Sequence, residues 1–202
     1  MINYTIYFIR HGITEGNLNG QYIGKTDLSL CDEGYAAIAG YKDSDFYPNV
    51  GRIYSSPLKR CVETAGIIYP GRHVEITEGL SECDFGDYEG KMPEEIEEDP
   101  AYIKWLKGGY DACPPGGESY GEFAVRCINA LDAIFKDMMS EKITTAAVIT
   151  HSGVIMNLLS GYGLPKGKPL EFALSQGEGF EIRMSTFLWG RGQAFEIIGK
   201  IF

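Results

Sequence analysis

The chain has 202 residues, is 44% hydrophobic and 12% aromatic, and carries a formal net charge of −10 at pH 7. That length can bury a sizeable core and implies one domain over residues 1–202, with the composition of a globular rather than a disordered chain. The acidity argues against nucleic-acid binding, which needs a basic face, yet a few converging arginines could still hold a small anionic substrate.

In chain order, residues 5–9 read as a strand, 31–41 as a helix, 52–55 as a strand, 58–68 as a helix and 74–77 as a strand. The acidic run 94–99 reads as a solvated helix start. It lies in a segment rich in glycine, proline and aromatics, 91–117, expected to form an insertion or lid over the sheet. Residues 120–139 follow Ser119 and Glu122 in capping-box spacing. Phe123, Cys127, Leu131, Ile134, Phe135 and Met138 recur every three or four positions there, giving that helix one core face. The stretch 145–150 is apolar throughout, as in a strand buried on both faces, and a helix over 154–160 follows His151-Ser152-Gly153. Finally, 179–188 and 193–202 flank Gly190-Arg191-Gly192 and read as two strands joined by a glycine turn. The pattern predicts an α/β fold: a mainly parallel central sheet with helices on both faces and a C-terminal antiparallel edge hairpin.

Five cysteines, widely spaced and without a C-x-x-C pair, fit reduced thiols in a cytoplasm. His11, His73 and His151 form no metal-binding motif, so neither a metal nor another cofactor is expected. The first residues lack a basic leader region and the first apolar run is cut at Arg10, so no signal peptide is expected. No stretch approaches the ~20 apolar residues of a membrane span. These readings give a cytoplasmic protein without membrane or nucleic-acid partners and leave its oligomeric state open.

His11 and His151 each follow a strongly apolar strand, and ligands in open α/β sheets bind at the carboxyl ends of strands. His73, in Pro70-Gly71-Arg72-His73, reads as an exposed bystander. Arg10 adjoins His11, and Arg60 lies where a strand gives way to a helix. Two imidazoles, two guanidiniums and helix-start amides suit a phosphoryl group, because guanidinium forks and helix N–H groups match its oxygens. Phosphoryl transfer is mostly positioning and charge stabilisation, so enough fixed cations could support it without a metal.

Arg10-His11-Gly12, with Thr14 and Asn17, resembles the RHGxTxxN signature of the histidine phosphatase superfamily, which has a phosphoglycerate mutase-like fold. Four further blocks follow in the family's order: 54–65 (YSSPLKRCVETA), 80–90 (LSECDFGDYEG), 115–119 (PGGES) and 148–155 (VITHSGVI). The resemblance implies that His11 is the nucleophile and carries a phosphohistidine, with the Gly12 carbonyl fixing its tautomer. It implies further that Arg10, Arg60, His151 and Asn17 hold the phosphoryl oxygens, and that Glu82 is the general acid and then the base. Ser152 after His151, in place of the aspartate of some branches, assigns the acid to Glu82. Gly24 and Ser152 join the phosphate-binding candidates, although Gly24 reads equally well as a turn glycine and Thr14 as a helix cap.

Nearby cations should hold His11 neutral, and burial or the neighbouring Asp84 and Asp87 could raise Glu82. Tyr22, Tyr88, Tyr102, Trp105 and Tyr110 could line a substrate pocket but read more simply as packing residues, and Cys61 reads as a buried helix residue rather than a reactive thiol. The short insertion leaves the phosphohistidine open to water, unlike the longer chains of phosphoglycerate mutases. The chain is thus most similar to α-ribazole phosphatases and broad-specificity relatives, acting on a small phosphorylated substrate such as α-ribazole 5′-phosphate. A mutase and a catalytically silent binding module of the same fold remain as alternatives.

Overall fold

A computed structural model describes residues 2–201. Strand β1 (Tyr4–Arg10) leads through the single turn α1 (Glu15–Leu18) to α2 (Asp32–Asp43), β2 (Arg52–Ser55), α3 (Lys59–Ile68) and β3 (Glu75–Ile76). Two short helices, α4 (Pro93–Ile96) and α5 (Pro100–Leu106), precede the long α6 (Tyr120–Ser140), β4 (Thr145–Thr150), α7 (Ser152–Tyr162) and β5 (Gly163–Leu164). The chain closes with β6 (Gly179–Met184), α8 (Thr186–Gly192) and β7 (Phe195–Lys200).

The strands form one sheet in the order β3-β2-β4-β1-β6-β7-β5. β1 and β2 both run parallel to β4, and β3 runs parallel to β2, so this half of the sheet points all its carboxyl ends one way. In register, Arg10 faces Thr150 and Ser55 faces Ile149. The residues that follow, His11, His151 and Ser56, therefore leave the sheet side by side.

Alternation along the central strands fills both faces. On one side Ile6, Phe8, Ala146 and Val148 pack with Phe123, Leu131 and Phe135 of α6 and with Leu158 of α7. On the other, Ile9, Ala147 and Ile149 pack with Ile38 of α2 and Cys61 and Ala65 of α3. Each large apolar side chain removed from water in this way contributes about 1.5–3 kcal/mol before the entropy cost of ordering it. All six apolar positions expected on one face of α6 are buried. The Ser119 hydroxyl accepts from the Glu122 amide while the Glu122 carboxylate accepts from the Ser119 amide, so the capping box is formed.

At the C-terminus β6 and β7 are antiparallel, as expected, but their connection is not a glycine turn. Gly190-Arg191-Gly192 lies in α8, where the Ser185 hydroxyl caps the Leu188 amide and the Trp189 indole donates to Asp132 at 2.9 Å. β5 pairs parallel with β7 and takes the outermost position. The expected second strand also included Phe202, which lies outside the described residues.

Candidate active site

The amide of His11 donates to the Thr150 carbonyl at 3.0 Å and that of Ser56 to the Ile149 carbonyl at 3.0 Å, extending the parallel ladder one step beyond the strands. This step brings the His11 and His151 rings to a centroid separation of 5.1 Å, inclined at 62°. Both rings are buried. His73, by contrast, is exposed and sits 3.0 Å from Glu75.

The His11 Nδ1 lies 2.7 Å from the Gly12 carbonyl, which can only accept, so Nδ1 carries the proton. Nε2 then presents its lone pair, and it takes no hydrogen bond among the described residues. The Gly12 amide is fixed in turn by the Thr64 hydroxyl at 3.0 Å, and that hydroxyl donates to the Arg60 carbonyl at 2.6 Å. Burial, more than the cations Arg60 and Arg10, depresses the His11 pKa to about 3, while its bond to Gly12 opposes the shift. His11 is accordingly neutral at physiological pH.

Arg60 is almost wholly buried at the start of α3. Its Nη1 and Nη2 donate to the carbonyls of Thr26 and Gly24 at 2.8 and 2.7 Å, and its Nε to His151 Nδ1 at 3.3 Å. A guanidinium has five N–H groups, so two remain for an anion. Because Nε–H can only donate, His151 is protonated on Nε2, which lies 2.8 Å from the Ser56 hydroxyl. Burial, then the neighbouring His11 and Arg60, hold the His151 pKa well below its ordinary value. Both ring nitrogens of His151 are thus engaged, and a bond from Nε2 to a phosphoryl oxygen requires it to leave Ser56.

Arg10 Nη1 donates to the Leu174 carbonyl, while its buried Nε has no partner. A buried guanidinium N–H without a partner is a ready anion donor. Asn17 has its amide oxygen tied to the amide and hydroxyl of Thr14 at 3.1 and 3.2 Å, so Thr14 and Asn17 cap α1 reciprocally. Gly24 is a framework residue: its carbonyl holds Arg60 and its amide donates to the Glu89 carboxylate at 3.0 Å. A Cβ there would meet the Cys83 carbonyl at 1.9 Å. Ser152 occupies the first position of α7, beside His151.

Of the acids in the 80–90 block, Glu82 alone is buried. It is 8% exposed, and its carboxylate accepts from the amides of Cys83 and Gly153, both at 3.0 Å. Burial raises its pKa, opposed by those two amides and then by Arg60 and Arg10. The expected help from Asp84 and Asp87 is not what raises it: Asp84 pairs with Lys25 at 2.8 Å, and Asp87 is exposed. Among the described residues no group of three or more His, Cys, Asp or Glu is placed to hold a metal ion.

The sequence profile described as "Histidine phosphatase superfamily (branch 1)" matches residues 6–185. The chain belongs to this superfamily. It is 28% identical over 180 residues to the adenosylcobalamin/alpha-ribazole phosphatase of Salmonella typhimurium, covering 85% of this chain and 86% of that protein. It is 32% identical to the metal-independent phosphoserine phosphatase of Arabidopsis thaliana, covering 74% and 65% of the two chains. The solved structure of the alpha-ribazole phosphatase from Shigella flexneri superposes with a TM-score of 0.79 at 23% identity, over 96% of this chain and 95% of that one, and so shares the fold.

Three residues that organise the site of this histidine phosphatase have no role in the sequence reading. Thr64 fixes Gly12. Arg126 spends all five N–H groups on Glu118 and the carbonyls of Gly79, Ser81 and Glu82. Glu89 binds the loop that holds Arg60. Thr64 and Glu89 lie inside recognisable blocks, but their partners are backbone groups distant in sequence, and no residue pattern encodes that. Tyr22, Tyr88, Tyr102 and Trp105 pack with Phe85 and Ile96 into a separate small cluster, while Tyr110 is exposed. Cys61 is buried 3.5 Å from His151 Nε2, and burial pushes its thiol pKa upward, away from reactivity. A groove of about 920 Å³ beside α6, lined by Tyr110, Val125 and Asn129, contains neither His11 nor Arg60 nor His151; its size does not mark the chemistry.

Proposed function

We propose that the chain hydrolyses a small phosphomonoester through a phosphohistidine on His11 Nε2, without a metal. The observation that carries this reading is the state of His11: neutral, protonated on Nδ1 against Gly12, with Nε2 free of hydrogen bonds among the described residues and the Arg60 and Arg10 cations near enough to lower its pKa. Nε2 attacks phosphorus, the phosphorus–oxygen ester bond breaks, and the leaving oxygen takes the proton of the Glu82 carboxyl group. The Gly12 carbonyl then faces the positive charge that develops on the ring. In the second half Glu82 takes a proton from water, the water oxygen attacks phosphorus, and the phosphorus–nitrogen bond breaks to return neutral His11 and phosphate. Arg10 Nε and the two spare N–H groups of Arg60 meet the oxygens, and His151, oriented by Arg60, completes the set once its Nε2–H turns from Ser56 to a phosphoryl oxygen.

The same reading takes residues 1–202 as one domain and the 91–117 segment as a cover tied to the site's frame. Backbone bonds support the latter: Tyr22 with Lys91 at 2.9 Å, and Asp87 with Pro115 at 2.8 Å. It places the protein in the cytoplasm, where five free thiols would persist. As substrates, α-ribazole 5′-phosphate comes first and phosphoserine second, because relatives carry those names.

The test is hydrolysis of an aryl phosphate in EDTA by the wild type and His11→Ala, with acid-labile phosphoprotein trapped by rapid quench. Turnover and a His11-dependent phosphoenzyme are expected, after which the two named substrates are compared by kcat/KM. A phosphoenzyme that forms without turnover would point instead to a mutase lacking its acceptor. Neither signal would leave a binding module.

A further inference from the structure

We infer that Glu89 is a positioning residue for Arg60, acting through the backbone of residues 24–26; this rests on the phosphate-binding reading of Arg60 given above. The Glu89 carboxylate sits in a nest of consecutive main-chain N–H groups. Gly24 donates to both oxygens at 3.0 and 3.1 Å, Lys25 to Oε1 at 3.0 Å and Thr26 to Oε2 at 3.1 Å. The Thr26 hydroxyl and the Phe85 amide, the latter at 3.0 Å, complete its shell. Such nests ordinarily bind external anions; here a side chain of the protein fills one permanently.

The consequence lies on the other side of the same loop. Gly24 and Thr26 each turn their N–H toward Glu89 and their carbonyl toward Arg60, at 2.7 and 2.8 Å. The peptide between Gly24 and Lys25 is therefore a dipole aligned between the carboxylate and the guanidinium, flanked by the Thr26 carbonyl. Without Glu89, three adjacent amides lose their acceptor and must seek water, which rotates away two of the three acceptors that aim Arg60. The Phe85 amide joins Glu89 to the segment that carries Glu82, so one carboxylate registers the phosphate cation against the acid. Only glycine fits at position 24, where an added Cβ would lie 2.4 Å from Glu89 Oε1.

The test measures inorganic phosphate binding by calorimetry and orthovanadate inhibition in wild type, Glu89→Gln, Arg60→Lys and the double variant. Glu89→Gln is expected to weaken phosphate about tenfold to a hundredfold and to raise KM in step, as loss of charge-assisted hydrogen bonds does. The double variant should bind no more weakly than Arg60→Lys alone, because the two residues act in series. Unchanged phosphate affinity in Glu89→Gln, or effects that multiply in the double variant, would overturn the inference. If Glu89→Gln fails to fold, Thr26→Val removes only the hydroxyl bond and should weaken phosphate several-fold; no change there would also count against it. Phosphate binding that depends on Glu89 in a chain without turnover would support this inference while removing the hydrolase reading. Turnover with Glu89-independent phosphate binding would do the reverse.

Discussion

The amide of Gly153 donates to Glu82 Oε2 at 3.0 Å, and a Cβ on Gly153 would lie 2.3 Å from Glu82 Oε1. The start of α7 thus holds the candidate acid by its backbone, two residues after the histidine that packs on His11, and the contact exists only because position 153 has no side chain.

Gly153→Ala should therefore separate chemistry from folding. The displaced group is the end of a flexible side chain, so the fold accommodates it, and alanine is favoured over glycine in a helix by up to about 1 kcal/mol. Turnover needs the carboxyl group in place and should fall about tenfold to a hundredfold, since misplacement by about 1 Å has costs of that order. Thermal denaturation beside kcat checks the split; parallel loss of both would show that Gly153 serves only packing.

If Glu82 protonates the leaving oxygen, the cost of losing it depends on the leaving group. Glu82→Gln keeps the size but cannot give up a proton. It should lower kcat/KM for an alkyl phosphate by about 10²–10⁴-fold, the usual worth of general acid catalysis. Nitrophenyl phosphate, whose leaving group departs unprotonated, should lose far less. Equal losses on both substrates would assign Glu82 a positional role.

How much of this was legible in the sequence depended on the kind of signal. The apolar run of β4 and the three-and-four spacing of α6 report burial, which dominates folding, and both elements formed as read. His11 and His151 were legible because parallel strands release them at one edge, and Arg60 because it opens the helix that follows β2. α8 was not: Gly190 and Gly192 suggest a turn, but the Ser185 cap and the Trp189–Asp132 bond supply a tertiary reason for helix that local propensity lacks. Nor could the sequence say that both nitrogens of His151 are occupied, or which acid of the 80–90 block is buried, since each depends on groups of segments distant in sequence.

Arg126 provides a test of the frame behind Glu82. Its guanidinium joins α6 to the carbonyls of Gly79, Ser81 and Glu82 and to both oxygens of Glu118. Arg126→Met keeps the length of the stem and strands that carboxylate and three carbonyls. The side chain is 26% exposed, so water relieves part of the loss. A destabilisation of about 2–3 kcal/mol is expected in urea denaturation, because removal of one partner from a largely buried pair is costly. A change below about 0.5 kcal/mol, the usual range of surface substitutions, would mean that water substitutes fully.

The neutral state of His11 fixes the sign of a stability effect. The unfolded ring takes a proton near pH 6.5, whereas the folded one resists it down to about 3. Between those values the unfolded chain binds the extra proton, so the stability present above pH 6.5 is lost as pH falls toward 3, by up to about 1.4 kcal/mol per pH unit. His151 is shifted in the same direction and adds to the loss. Glu82 has the opposite sign: its pKa is raised, so its contribution is present in acid and is lost as pH rises through the folded value. Subtracting the two proteins isolates His11 from these and from the remaining carboxylates. Denaturant unfolding of wild type and His11→Ala at intervals from pH 7 to 4.5 should give a shallower loss in the variant, diverging below about pH 6.5 with a slope approaching the ~1.4 kcal/mol per unit of one proton. Coincident slopes would mean that the folded ring titrates like the unfolded one, so that the fold does not hold His11 neutral below its ordinary pKa.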